Sequence, residues 1–250
     1  MKNALHLASI VVCSSMIFTT SACAETVSMH GATTVLNMVV TPHRAAVEKA
    51  TGHTLAIVGN ATGKGLVDLS DGKAEIAMVS EPMEIALSAA QLAGKSIDPK
   101  TLQFYEIRKD EIVFVVHPSN SVSSLSWEQL SDIHTGKITN WKQVGGKDQA
   151  IVVYSDATTG GTRAMVKKLV MNGKEYASNV KALISVARVA ESVPKDENGI
   201  GGVGRGFVDA SKLKVIQTNK LERPLGFVTL GAPSPKAKQV IDAFKKAAGA

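Results

Sequence analysis

Hydrophobic positions along this chain follow two rhythms. Short β-branched runs at Thr54 to Val58, Ile112 to Val116, Ala150 to Val153 and Val215 to Gln217 read as strands. Apolar residues recur every three or four positions in Val35 to Ala50, Gly65 to Asp71, Ser126 to His134 and Pro235 to Ala248, the spacing of a single helix face. Thr51-Gly52 gives the first helix a stop signal, because glycine takes the left-handed conformation at no steric cost. Ser126 followed three residues later by Gln129 forms a capping-box pattern. Strands alternating with helices favour an α/β fold, a mostly parallel sheet with helices on it. No low-complexity tract, proline-glycine linker or internal repeat divides the chain.

The first two dozen residues obey a different rule. Lys2 is followed by a mostly apolar stretch from Ala4 to Phe18 and by the small-x-small pattern Ala22-Cys23-Ala24. That run is short for a membrane span, and no later run is longer. Residues 1–24 are expected to be a signal peptide, with a mature, periplasmic chain starting at Glu25. Acylation of Cys23 is the alternative route, against Thr20 where lipidation signals carry leucine. Cys13 and Cys23 are the only cysteines of the 250 residues, so thiol catalysis, disulfides and cysteine-bound zinc are excluded beyond the leader. Lys2 is the leader's only charged side chain, which leaves 27 Lys and Arg against 22 Asp and Glu. The excess is scattered, without a basic helix or interleaved aromatics, so nucleic acid is not an expected partner. It favours encounter with small anionic solutes.

Candidate chemistry collects at four turns between strand and helix. Gly31-Ala-Thr33-Thr34-Val35 brings two hydroxyls to a helix start, where they can cap it or donate to a bound oxygen. Gly59-Asn-Ala-Thr62-Gly63-Lys64-Gly65 fails as a nucleotide P-loop. It has three residues before Gly63-Lys64 where four are required, and Gly65 replaces the magnesium-binding hydroxyl. A backbone nest with Thr62 and Lys64 nearby is what remains. In the third turn, Ser80 and Glu81 follow the short apolar run ending at Val79 and are stopped by Pro82, at the strand end where α/β sheets collect ligands. The fourth, Asp156-Ala-Thr-Thr-Gly160-Gly161-Thr162-Arg163, joins a strand at Ile151 to Tyr154 to a helix at Ala164 to Val170. Its free N–H groups suit an anion. Gly199 to Gly206 lacks dinucleotide-loop spacing and reads as a strand that another backbone approaches closely.

In this order the turns resemble those of the phosphate-binding branch of the ABC-transporter solute-binding proteins. The resemblance runs from about Val27 to Phe227. It includes the segments from Phe114 to Ser126 and from Leu130 to Lys142, which look like the family's second-lobe signature, and Gly199-Ile-Gly201, which is similar to its late crossover strand. The family implies a two-lobed periplasmic binding protein fold of type II, with mixed sheets flanked by helices and a ligand cleft between lobes. Lobe 1 would comprise 25–106 and 210–250, and lobe 2 would comprise 107–209. The resemblance further implies a monomer that binds phosphate or a related oxyanion and delivers it to an ABC permease. Carried over by position, the ligand residues would be Thr33, Thr34, Thr62, Glu81, Gly161 and Thr162, with Glu81 accepting a proton from the oxyanion; Ser80, Asp156 and Gly160 join the candidate site by their place in the turns.

Two positions depart from that family pattern. Asp156 stands where the family has arginine, and Gly160 where it has serine. An arginine fork contributes about 1.5–3 kcal/mol per charged hydrogen bond, and an aspartate in its place repels an oxyanion unless it turns away or pairs with Lys64 or Arg163. A different small solute, or an interaction protein without a ligand, therefore stays open beside phosphate. An enzyme is not expected: there is no G-x-S-x-G or H-E-x-x-H motif, and the histidines lack metal-ligand spacing. Nothing calls for a catalytic residue, metal or cofactor.

Overall fold

The computed structural model describes residues 25–249; the leader reading, with Cys13 and Cys23, lies outside the described residues. Eight strands form one sheet: β1 (Thr26–Gly31), β2 (Thr54–Gly59), β3 (Ile76–Val79), β4 (Leu102–Val116), β5 (Val152–Ser155), β6 (Lys181–Ala182), β7 (Gly199–Gly204) and β8 (Lys214–Leu230), in the order β2-β1-β3-β8-β4-β7-β5-β6. The expectation of a mostly parallel sheet is corrected. β1 runs parallel to β2 and β3, and β5 to β6 and β7. The middle is antiparallel, β8 against β3 and β4, and β4 against β7. The sheet is mixed because two long central strands travel in opposite senses between its parallel wings.

Helices cover both faces of each wing. On one side of the β1–β3 wing, Val27, Met29, Leu55, Ile76 and Phe227 pack under a helix spanning 33–51 and under α8 (Pro235–Ala248). On the other side, Leu66, Val79, Ala86 and Val228 pack with α3 (Thr62–Ser70) and α4 (Met83–Leu92). The β5–β7 wing repeats the arrangement. Phe114, Leu130, Trp141 and Val166 form a core with α5 (Trp127–His134) and a helix over 161–170 that begins as α6 (Gly161–Met165), while Val113, Val115, Val189 and Val203 form another with α7 (Val186–Ser192). The molecule is thus a two-lobed mixed α/β fold.

Local signals explain most boundaries. Gly52 closes its helix at φ 71°, and the box at Ser126 is complete, with Ser126 Oγ accepting from Gln129 N at 3.1 Å and Ser126 N donating to Gln129 Oε1 at 2.9 Å. The helix over 33–51 begins as α1 (Thr33–Val35), passes through a π turn at Leu36–Val40 and continues as α2 (Thr41–Thr51). Pro42 lies in the first turn of α2, where its missing N–H would leave a gap in an unbroken α-helix, and the wider preceding turn accommodates the ring. α3 starts at Thr62, three residues before the expected Gly65. Gly63 and Gly65 lower helix propensity, yet a Cβ at Gly63 would come within 2.2 Å of Ala89 O, and one at Gly65 within 2.4 Å of Gly31 Cα.

β4 and β8 exceed their expected runs because charge hides them. β4 carries Glu106, Arg108, Lys109, Asp110 and Glu111, and β8 carries Lys220, Glu222 and Arg223. Most of these side chains point to solvent, but Asp110 and Arg223 stand opposite one another and are buried. Arg223 Nε and Nη2 donate to Asp110 Oδ2 at 2.9 and 2.8 Å, and Gly204 leaves the space: a Cβ there would lie 2.6 Å from Asp110 Oδ2. Removing one member strands a buried charge. Asp110→Asn is expected to lower unfolding free energy by about 3–5 kcal/mol in urea titrations, and the double variant Asp110→Leu with Arg223→Met by clearly less.

Candidate functional site

The four turns converge between the lobes on one small cavity. Ala32, Thr33 and Thr34 reach it from the end of β1, Ala61 and Thr62 from the end of β2, Ser80 from the end of β3, and Asp156, Gly160 and Gly161 from the end of β5. Each turn follows the carboxyl end of a strand and feeds a helix, so backbone N–H groups are concentrated here. The far wall is Ile184, Ser185 and Val186, at the start of α7. A backbone bond from Gly63 N to Thr159 O, 3.3 Å, closes the second turn onto the fourth. The remaining space is about 10 Å³, room for about one water.

Asp156 is the only ionisable side chain among the residues lining this cavity. It is buried, and its Oδ1 accepts from Arg163 N at 2.7 Å. Arg163 N is an otherwise free donor in the first turn of the helix over 161–170, so the carboxylate caps that helix from the preceding strand. Neither cation considered from the sequence pairs with it through a side chain. Lys64 is exposed, and the Arg163 guanidinium hydrogen-bonds Ser155 Oγ and stacks 3.9 Å over the Tyr176 ring. The other oxygen, Oδ2, lies over Gly160, where a Cβ would come within 2.0 Å of it. A serine at 160 therefore collides with an aspartate at 156. Asp156 and Gly160 are thus sterically coupled.

Glu81 stands behind the cavity wall. Its Oε2 accepts from Ser80 N at 3.1 Å, Ser80 Oγ at 2.8 Å and Thr62 Oγ1 at 3.1 Å, and Oε1 is buried with no partner. It packs against Gly161, whose Cβ would sit 1.8 Å from Oε2. Burial pushes the Glu81 carboxyl up to about 7, against its hydroxyl bonds and Arg223. Burial likewise pushes Asp156 up to about 6, against its bond from Arg163 N and the charge of Arg223.

Of the residues singled out by sequence, Thr33, Thr34, Thr62, Ser80, Asp156, Gly160 and Gly161 line the cavity, while Glu81 and Thr162 do not. Thr162 instead accepts from Arg223 Nη1 at 2.7 Å through Oγ1, which ties the fourth turn to the central strands. Ser185 and Arg223 escaped the sequence reading. Ser185 announces itself only as an N-cap, its Oγ accepting from Arg188 N at 3.3 Å. Arg223 is one more charge in a charged strand, and only β4–β8 register buries it. His30, next to the first turn, is held by Asp68 at 2.8 Å and does not line the cavity. Hydroxyls, backbone N–H groups and one carboxylate around a small space suit reversible binding of a small polar solute.

The coupling of Asp156 with Gly160 is testable. Gly160→Ser is expected to destabilise the protein by about 1–3 kcal/mol through overpacking, and adding Asp156→Ala should recover most of that loss in thermal melts. The buried carboxyls add a pH dependence. Their folded pKa values are raised, so the folded state holds more protons than the unfolded chain; their contribution is complete below the unfolded carboxylate range and is lost as pH rises through about 6 for Asp156 and about 7 for Glu81. Unfolding free energy without ligand is expected to be on the order of 2–3 kcal/mol higher at pH 5 than at pH 8 from these groups, and Glu81→Gln should flatten that slope.

Residues 19–248 match the family model described as the PBP superfamily domain. Over 126 residues the chain is 31% identical to the phosphate-binding protein PstS of Bacillus subtilis (strain 168), a match covering 50% of this chain and 39% of that protein. The chain spans about half the length of the curated relatives it matches. An ABC transporter substrate-binding protein of Clostridium perfringens, solved with bound phosphate, superposes with a TM-score of 0.75 at 27% identity, over 87% of this chain and 92% of that one. An ABC-type phosphate transport receptor from Vibrio cholerae superposes with a TM-score of 0.66 at 25% identity, over 88% and 93%. The resemblance read from the turns is borne out at the level of family and fold: the chain belongs to the PBP superfamily.

Proposed function

We propose that this chain is an exported solute-binding protein that captures phosphate or a related oxyanion for ABC-type uptake. The observation that carries the reading is the convergence of four strand-to-helix turns on one hydroxyl-lined cavity between two lobes, in a chain superposing on a substrate-binding protein solved with phosphate. Backbone N–H groups of the helix over 161–170 and the hydroxyls of Thr33 and Thr34 are the donors available to an anion. Arg223 holds the fourth turn from behind through Thr162, with its charge paired to Asp110.

Residues 1–24 are read as the signal peptide that takes the protein to the periplasm, where it acts as a monomer and presents its closed form to a permease. No helix among the described residues is long and apolar enough to cross a membrane. Lobe 1 is assigned to 25–106 with the C-terminal part of 210–250, and lobe 2 to 107–209 with the start of β8. Leu213, Val215, Ile216 and Leu221 pack in the lobe 2 cores, whereas Ile107, Leu225 and Phe227 pack in lobe 1, which supports a first boundary just after Ile107 and a second between Leu221 and Leu225. The role assigned is binding rather than catalysis, as in the substrate-binding proteins on which the chain superposes.

A thermal-shift and calorimetric panel of phosphate, arsenate and sulfate tests the reading. Phosphate at 100 times its dissociation constant is expected to stabilise the protein by about 2.7 kcal/mol. Thr34→Val, which deletes one hydroxyl from the cavity wall, should weaken phosphate by roughly 5- to 10-fold, the loss of one hydrogen bond. No shift with any oxyanion up to millimolar concentration would sink the reading.

A further inference from the structure

A second hollow opens between α4 of lobe 1 and the helix over 161–170 of lobe 2. Its volume is about 420 Å³, and it shares no lining residue with the cavity at the four turns. Ile85, Ala89 and Leu92 line it from α4, and Arg163 and Ala164 from the opposite helix, with Tyr176 completing the lining. Leu92 is 67% exposed, a large apolar side chain left in water where an occupant of the groove would cover it. Ala89 and Ala164 keep both helix faces shallow, which suits flat rings better than a branched chain. The space is within the range of small-molecule sites.

The charges lining this groove do not balance. Lys168 pairs with Glu84 from the other lobe at 3.2 Å, and Lys167 pairs with Glu175. Arg163 is the third cation, and among the described residues it has no carboxylate partner. Its backbone N donates to Asp156, and its Nη1 donates to Ser155 Oγ. Nε and Nη2 have no acceptor among the described residues. These two adjoining groups form the same guanidinium edge with which Arg223 grips Asp110. Such an edge matches a planar carboxylate. The fork is also held in place beforehand: the guanidinium stacks 3.9 Å over the Tyr176 ring, and Tyr176 Oη donates to Arg163 O at 3.2 Å. Less side-chain freedom is then lost when an anion arrives.

We propose that this interlobe groove is a second ligand site, for small aromatic carboxylates. The carboxylate takes Nε and Nη2 of Arg163, and the rings lie against Ile85, Ala89 and Leu92. The single unpaired cation sets the ligand's charge at minus one, and the apolar wall asks for a body that inorganic phosphate lacks. The inference stands apart from the oxyanion reading. Because the walls come from different lobes, an occupant joins them, as the Lys168–Glu84 pair does.

Calorimetric titration of the protein with 2-naphthoate tests the site, with 2-naphthamide as the uncharged control of the same shape. Naphthoate is expected to bind with a dissociation constant on the order of 0.1–1 mM, ordinary for a ligand of its size. The amide should bind at least about tenfold more weakly, having lost the charged pair of hydrogen bonds. Arg163→Gln should weaken naphthoate by about tenfold. Leu92→Asp should do the same by repelling the anion, and its exposed position keeps the test available if the glutamine variant does not fold. Inorganic phosphate should not displace naphthoate. No naphthoate binding by wild type, an amide that binds as tightly, affinity unchanged in either folded variant, or displacement by phosphate would each overturn the inference. None of these results touches the oxyanion reading, which fails only if phosphate and its analogues do not bind.

Discussion

The pairing of β4 with β8 is the constraint on which the rest of this structure depends. These two strands alone run through both lobes, so the distance and angle between the four ligand turns are set by how they twist past one another. Their register shifts between Glu106 and Arg108 and again between Ile112 and Phe114, and Asp110 and Arg223 face each other between the shifts. A buried ion pair contributes little net stability compared with apolar residues, but it tolerates few alternatives: a slip of one residue would leave both charges buried and alone. By reaching on to Thr162, Arg223 couples this register to the fourth turn. The same guanidinium specifies strand alignment and ties down the start of the helix over 161–170.

At the site, two carboxylates set the roles of their neighbours. With aspartate at 156, the helix over 161–170 is capped from inside the protein, so some of the donor capacity that an anion would use is already taken. With glutamate at 81, the hydroxyls of Ser80 and Thr62 point their protons inward. Part of the wall therefore presents lone pairs where hydroxyl donors were expected. Neither feature follows from residue identity alone, because each depends on which lone pair meets which N–H.

Much of the fold was legible in sequence because its signals are local. Gly52, the Ser126 box and the amphipathic run of α8 each act within a few residues, and the structure uses them where they were expected. The lengths of β4 and β8 were not legible, since charges such as Lys109 and Glu222 interrupt the apolar pattern, and only strand pairing reveals which of them face water. The site divides the same way. Turn chemistry brought Thr33, Thr62, Ser80, Asp156 and Gly161 together on one cavity, but Ser185 arrives from a separate element and Thr162 turns away toward Arg223. Contacts between distant segments carry no local mark.

The helix that starts at Thr33 and the one that starts at Gly161 each contain a π turn soon after the cavity, Leu36–Val40 in one and Val166–Val170 in the other. Relative to an α-helix, a π turn houses one additional residue, and each residue of an α-helix is worth about 100° of rotation. Thr33 is thereby rotated independently of the α2 face that meets the core. In a continuous α-helix, re-aiming a ligand residue would swing every buried side chain below it out of register. In the helix over 33–51 the two are uncoupled like a collar on a shaft, so the mouth of that lobe can drift in sequence and orientation while Val47 stays seated.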